Sequence, residues 1–275
     1  MSLDLAGRVA VVTGGASGLG KSIVERFVAE GMRVVIADVN DIDGERLANL
    51  HGSDVLFRPT DVAVPEQVTA LVETAVSQFG GLDVMVNNAG VAGTRHWDFL
   101  DDDLADFDRV MSVNLLGVMV GTRDAARHMA DHGGGSIINM SSIGGIEASP
   151  GVMPYGASKA AVIHFTKAAA LALAQYEIRV NCIAPGHIRT RLLATSAPDL
   201  SPDDLAQYEA EIRAIMGSQR PLQREGKAAD IAGAAAYFAG DDSVYVTGTV
   251  LPVDGGVVAG NTAKPPRFTP KGDKQ

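Results

Sequence analysis

The chain has 275 residues, 46% hydrophobic and 20% charged, with 33 acidic against 23 basic side chains and a formal net charge of -10. That composition excludes collagen-like, low-complexity and disulfide-stapled classes, and the acidic balance supplies no basic field for a phosphate backbone, so no nucleic-acid partner is expected. No run approaches the roughly 18 apolar residues of a membrane helix and the N-terminus lacks a basic segment followed by an apolar one, so the expectation is a cytoplasmic chain with no membrane partner.

In chain order, a β-branched run at 8–13 predicts the first strand and is followed by a glycine-rich turn and a helical pattern at 19–30. Strands at 33–38, 54–58, 82–86, 136–141, 178–183 and 249–253 then alternate with helical patterns at 43–50, 65–79, 102–132, 155–175 and 227–239. Most of the strands are continuous Val/Ile/Leu runs, as strands covered on both faces require. Right-handed crossovers place helices on both sides of such a sheet. The expected fold is therefore α/β, one Rossmann-like, doubly wound parallel sheet of about seven strands.

No linker or repeat interrupts the alternation, so residues 1–261 are read as one domain. The segment 186–224 departs from the rhythm, carries its own helical pattern at 202–216, and is expected to lie over a cleft at the carboxyl edge of the sheet. Residues 262–275, with Lys264, Arg267, Lys271 and Lys274 against Asp273 and with Pro265, Pro266 and Pro270, read as a basic, mobile tail. The single cysteine, Cys182, reads as a small buried core residue.

The turn after the first strand is Thr13-Gly14-Gly15-Ala16-Ser17-Gly18-Leu19-Gly20. Glycines at 14, 18 and 20 let the backbone turn tightly and bring its N–H groups, with a helix N-terminus, against a pyrophosphate. The spacing departs from G-x-G-x-x-G, and the context carries the reading. The turn joins a strand to a helix, and Asp38 ends the second strand about 20 residues on, where a carboxylate binds adenosine ribose hydroxyls. A carboxylate there repels the additional phosphate of NADP by roughly 4 kcal/mol at 4 Å and an effective dielectric of 20. Ser17 and Val39 beside it are not cations, so NAD is the expected cofactor.

Tyr155 and Lys159 stand one helical turn apart and project from one face. An ammonium about 4 Å from a phenol oxygen would draw its pKa from about 10 towards 7, where proton transfer works best. The six histidines form no H-E-x-x-H or Cys/His cluster, so no metal is expected.

Taken in order, the glycine turn, Asn87-Asn88-Ala89-Gly90, Asn114, Ser142, Tyr155-Gly156-Ala157-Ser158-Lys159 and Pro185-Gly186 resemble the short-chain dehydrogenase/reductase family over about residues 5 to 256. The resemblance implies that Tyr155 is the general acid/base, that Lys159 lowers its pKa and binds the nicotinamide ribose, that Ser142 polarises the substrate oxygen, and that Asn114 positions a water relaying protons to Lys159. It also implies a cofactor shell made of Gly14, Ser17, Gly18, Leu19, Gly20, Asp38 and Val39. Asp61 and Val62 would meet the adenine, Asn88, Ala89 and Gly90 would lie along the cofactor, and Pro185, Gly186, Ile188 and Thr190 would stand at the nicotinamide.

In the family the substrate lies between the segment after Ser142, the loop after Gly90 and the insertion after Gly186. Here these supply Ile143, Ile146, Val152, Met153, Val91, Trp97, Ile188, Leu192 and Leu193, with Glu147, Arg95 and Arg191 among the few charges. A mostly apolar wall suits a hydrophobic secondary alcohol or ketone, alicyclic, terpenoid or steroid-like. A 3-oxoacyl-thioester reductase acting on acyl carrier protein or coenzyme A is the alternative, with Arg95, Arg189 and Arg191 meeting phosphopantetheine. A non-catalytic NAD-binding protein is a second alternative. The resemblance implies a homotetramer.

Overall fold

Val9–Thr13 forms β1, and all five of its residues are buried, as a central strand covered on both faces must be. In the computed structural model, which describes residues 4–96, 98–190, 196 and 200–260, β1 pairs in parallel with β2 (Arg33–Asp38) and β4 (Val84–Asn87). With β3 (Val55–Pro59), β5 (Gly135–Met140), β6 (Ile178–Pro185) and β7 (Val250–Val253), these make a seven-stranded sheet in the order β3-β2-β1-β4-β5-β6-β7. Every neighbouring pair is parallel.

The helices are α1 (Gly18–Ala29), α2 (Asp41–His51), α3 (Pro65–Phe79), α4 (Phe107–Met111), α5 (Gly117–Ala130), α6 (Met153–Leu173), α7 (Pro202–Gln219) and α8 (Ala228–Ala239). Successive strand side chains point to opposite faces. Ala10, Val12, Val34 and Ile36 meet Ile23 and Phe27 of α1 and Ile231 and Ala235 of α8. Val9, Val11, Val35 and Ala37 meet Leu71 and Ala75 of α3 and Ala125 and Met129 of α5. The expected doubly wound sheet is thus the observed one.

The helix expected over 102–132 is shorter and interrupted. Asp98, Asp102 and Asp103 turn their carboxylates back on the amides of Leu100, Leu104 and Ala105, at 2.9, 2.8 and 2.9 Å, and Leu104 takes a left-handed backbone, φ 56°. Such local bonds compete with the helical ladder, and helix begins only at Phe107. A π-helical turn, Ser112–Leu116, separates α4 from α5 and carries Asn114. Cys182 is fully buried with Val118 and Val162, as expected, and burial pushes its thiol up to about 11.

Parallel sheets of this order present their ligand crevice at the carboxyl ends of the strands, where the strand order reverses between β1 and β4. The chain leaves those ends at Thr13-Gly14, Asn87-Asn88, Met140-Ser141 (just ahead of Ser142) and Pro185-Gly186. Each exit coincides with one of the sequence motifs. The tail 262–275 falls outside the described residues. Among the described residues no helix is long and apolar enough to cross a membrane.

Candidate active site

Thr13 ends β1 and fastens two motifs together. Its Oγ1 accepts the amides of Asn88 and Ala89 at 2.9 and 3.0 Å, while the Asn88 amide nitrogen donates to the carbonyls of Thr13 and Gly14 at 2.8 and 3.2 Å. The glycine turn lies against this clamp with Gly14 at φ 63° and Gly18 at φ 54°. A Cβ on Gly20 would lie 2.1 Å from the Gly14 carbonyl oxygen, and one on Gly14 2.9 Å from Ala89 Cα. Glycine is therefore required here by space as well as by backbone angle.

The first turn of α1 carries no acidic side chain, and its N-cap Ser17 is exposed and makes no capping bond. Its amides and the helix dipole remain available to an anion. These residues fit a dinucleotide pyrophosphate. Thr190 comes to this loop from the far end of the sheet: a Cβ on Gly18 would lie 3.5 Å from Thr190 Cγ2.

Asp38 closes β2 beside the turn. Its Oδ2 accepts the Ala16 amide and its Oδ1 the Asn40 amide, both at 3.0 Å. It therefore orders both turns and keeps further lone pairs for hydroxyl donors. No described cation pairs with it. Val39 is exposed, whereas Val62 is buried with Val68 and Val120, and Asp61 holds its own turn through the Ala63 amide at 2.9 Å.

Ser142, Tyr155 and Lys159 come together between the end of β5 and the start of α6. Ser142 Oγ accepts the Gly144 amide at 3.1 Å and lies near enough to the Tyr155 hydroxyl to lower its pKa. Lys159 is almost wholly buried, its Nζ donating to the Met140 carbonyl at 3.0 Å and standing 5.7 Å from the Tyr155 ring centre. Asn114 latches the loop after Gly90, with Oδ1 accepting the Val91 amide at 2.8 Å and Nδ2 donating to the Val91 carbonyl at 2.9 Å and to Ser158 Oγ at 3.1 Å. A Cβ on Gly90 would fall 3.2 Å from Asn114 Oδ1 and 3.3 Å from Lys159 Nζ. Gly90 thus lets Asn114 and Lys159 both approach this stretch of backbone closely.

Burial pushes the Tyr155 phenol above its ordinary value, against the direction expected from a neighbouring ammonium, and Ser142 offsets this only in part. The Lys159 ammonium donates to the Met140 carbonyl. Burial also depresses Lys159, to about 8. Desolvation of the ionised form is the largest cause of each shift.

At the nicotinamide end, Gly186 lies so close to β7 that a Cβ would be 2.6 Å from Asp254 Cα, and its amide donates to the Val253 carbonyl at 3.0 Å. Ile188 bridges to Gly226 and packs on the core beside α1. Its side chain is thereby engaged in packing. Trp97, Arg191, Leu192 and Leu193 fall outside the described residues. His187 is exposed.

Sequence reasoning missed a buried chain beneath the site. Asn87 Nδ2 donates to Thr122 Oγ1 at 3.2 Å and Asn139 Oδ1 at 2.8 Å, and Asn139 Nδ2 donates to Thr166 Oγ1 at 3.0 Å. Polar residues inside otherwise apolar strands were the available signal. Among the described residues one group, His96, Asp102 and Asp103, brings potential metal-ligating atoms within 4.8 Å of one another.

The chain matches the family described as "Enoyl-(Acyl carrier protein) reductase" over residues 14–258. It is 40% identical over 270 residues to (+)-borneol dehydrogenase 2 of Salvia officinalis, covering 96% of this chain and 93% of that protein. It is 40% identical over 260 residues to a 3-alpha-(or 20-beta)-hydroxysteroid dehydrogenase of Mycobacterium tuberculosis, covering 94% and 93%. A crystal structure of a short-chain type dehydrogenase/reductase from Mycobacterium marinum superposes with a TM-score of 0.83 at 33% identity, covering 94% of this chain and 98% of that one. With sheet order, glycine turn and relatives in agreement, this chain belongs to the short-chain dehydrogenase/reductase family of oxidoreductases.

Proposed function

We propose that this protein is an NAD(H)-dependent oxidoreductase that interconverts a secondary alcohol and a ketone on a hydrophobic small molecule, alicyclic, terpenoid or steroid-like, with Tyr155 as the general acid/base. The observation that carries this reading is the meeting of Ser142, Tyr155 and Lys159 at the strand ends that also carry the glycine cradle. Bound NAD supplies the hydride acceptor.

The protein's own groups handle the proton and the oxygen. Ser142 and Tyr155 together hold the substrate oxygen, and Tyr155 takes its proton in oxidation or returns it in reduction. Lys159 orders this end of the cleft and passes protons, by way of a water that Asn114 positions, to solvent. Gly14, Ser17, Gly18, Leu19 and Gly20 hold the pyrophosphate, Asp38 and Val39 the adenosine ribose, and Asp61 and Val62 the adenine. Asn88, Ala89 and Gly90 line the cofactor, and Pro185, Gly186, Ile188 and Thr190 stand at its nicotinamide. On the substrate side, Ile188 and Thr190 stand on one wall of the cleft and Ile146, Val152 and Met153 on the other.

Two relatives named for borneol and hydroxysteroid oxidation support the alicyclic substrate class. The thioester-reductase reading draws support from the description of the matched family, and Asp38 opposes it. The test is cofactor choice: the wild type should bind NAD at least about tenfold more tightly than NADP, and Asp38→Ser should remove most of that difference. Preference for NADPH in the wild type, with turnover of 3-oxoacyl thioesters in place of alicyclic ketones, would favour the alternative.

The same reading includes a homotetramer in which α5 and α6 pair across a two-fold axis and β7 lies near a second. Exposed Leu116, Met119 and Leu171 supply unpartnered apolar surface on the first face. Sedimentation at micromolar concentration should give four chains; a monomer would remove this element of the reading.

A further inference from the structure

Among the described residues Arg95 is a cation without a counterion. Its Nε is buried and unpaired, and among the described residues its guanidinium makes neither a hydrogen bond nor an ion pair. The nearby carboxylates are engaged elsewhere. Asp102 faces His96 at 3.6 Å and accepts the Leu104 amide. Asp106 accepts from Thr94 and pairs with Arg109 at 2.8 Å. A buried, unsatisfied charged donor is unusual enough to call for a physical reason.

Its position supplies one. The Arg95 amide donates to the Ser196 carbonyl at 2.8 Å, tying its loop to the segment that follows β6, and the neighbouring His96 amide donates to the Gly151 carbonyl at 3.0 Å. Gly151 lies just ahead of Tyr155, and a Cβ there would fall 2.5 Å from Arg95 Nη1. Arg95 therefore sits where the loop after β4, the loop after Ser142 and the segment after β6 meet, with its guanidinium against Gly151. Ile146, Val152 and Met153 supply apolar side chains to the loop that carries Gly151.

We propose that Arg95 is a specificity-determining residue that selects apolar substrates bearing a carboxylate remote from the reacting carbon. This rests on the alcohol–ketone reading for its chemistry, but the binding it requires does not. A guanidinium fork matches a carboxylate with two parallel hydrogen bonds, and an apolar surround strengthens them. A phosphate, as in phosphopantetheine, offers the same fork chemistry on a larger ligand.

Calorimetric titration of the full chain with cyclohexanecarboxylate, cyclohexanemethanol and coenzyme A tests the assignment. The wild type should bind the carboxylate about tenfold or more tightly than the neutral alcohol. That ratio should fall close to one in Arg95→Gln, and Arg95→Lys should keep part of it. Unchanged affinity of Arg95→Gln for cyclohexanemethanol would show that the cleft is intact. Equal binding of acid and alcohol by the wild type, or a preference that survives in Arg95→Gln, would overturn the proposal. Arg95-dependent binding of coenzyme A without binding of the carboxylate would also overturn it, in favour of a phosphate. Turnover of 4-hydroxycyclohexanecarboxylate and 4-methylcyclohexanol with NAD forms a separate arm. Its failure on both, with the carboxylate ratio intact, would count against the alcohol–ketone reading and leave the Arg95 site standing.

Discussion

Replacing Tyr155 with Phe should lower kcat by about a thousandfold, within the range by which a positioned proton-transfer group contributes, while NAD binding and the thermal midpoint stay near wild type. The variant removes one hydroxyl, and the fold does not rest on it: α6 is held by Val162, Thr166 and Ala170 against the sheet. The pH profile follows from the raised phenol pKa. A phenol held above its ordinary range is protonated at neutral pH, so it is ready to give a proton to a ketone and must first lose one to accept from an alcohol. Alcohol oxidation should therefore climb with pH through the alkaline range, and ketone reduction should persist to higher pH before it declines. Retention of full turnover in Tyr155→Phe, or an oxidation rate flat from pH 6 upward, about four units below an ordinary phenol, would contradict this assignment.

Lys159→Met should stabilise the protein at neutral pH while removing activity. The wild-type ammonium is fully enclosed and its pKa falls from 10.5 to about 8. A displacement of that size corresponds to roughly 3 kcal/mol of folding free energy set against keeping the charge buried. Methionine removes that charge at similar length, but leaves the Met140 carbonyl without its donor at 3.0 Å, an opposing loss of about 1–2 kcal/mol. The net gain is about 1–2 kcal/mol, or a midpoint rise of roughly 2–6 °C for a chain of this size.

The pH dependence has a definite sign. Because the folded pKa lies below the unfolded one, the burden is complete below pH about 8 and is relieved as pH rises towards 10.5. The advantage of Lys159→Met should therefore shrink over that window. Calorimetric scans at neutral and alkaline pH would measure it, and a midpoint lowered at pH 7 would show that the Met140 bond outweighs desolvation.

Much of this architecture was legible in the chain itself, for particular reasons. The strand at 33–38 has the bounds expected from its Val/Ile run because both faces are covered and alternation has nothing to report. The helix at 65–79 is equally plain, with Pro65 opening it and Gly80 closing it at φ 87°. The stretch 102–106 misled because its aspartates satisfy loop amides, a choice that residue spacing does not encode. Tyr155 and Lys159 were placed together by helical periodicity alone. Their electrostatics were not, since the direction in which Lys159 points depends on the Met140 carbonyl at the end of β5, and on burial by elements distant in sequence. The Asn87–Asn139–Thr166 chain was invisible for the same reason: its members come from two strands and a helix that only the folded sheet brings within 3 Å.

In the proposed reaction Tyr155, held by Ser142 and Lys159, exchanges a proton with a secondary alcohol while NAD takes the hydride. The most direct measurement mixes the full chain and NAD with an alicyclic or steroid secondary alcohol and follows NADH absorbance through a single turnover, with the organic product identified. NADH and the matching ketone should form in equal amounts in the wild type, and neither should form in Tyr155→Phe. Absence of NADH from the wild type, with NAD bound and each alcohol class supplied in turn, would contradict it.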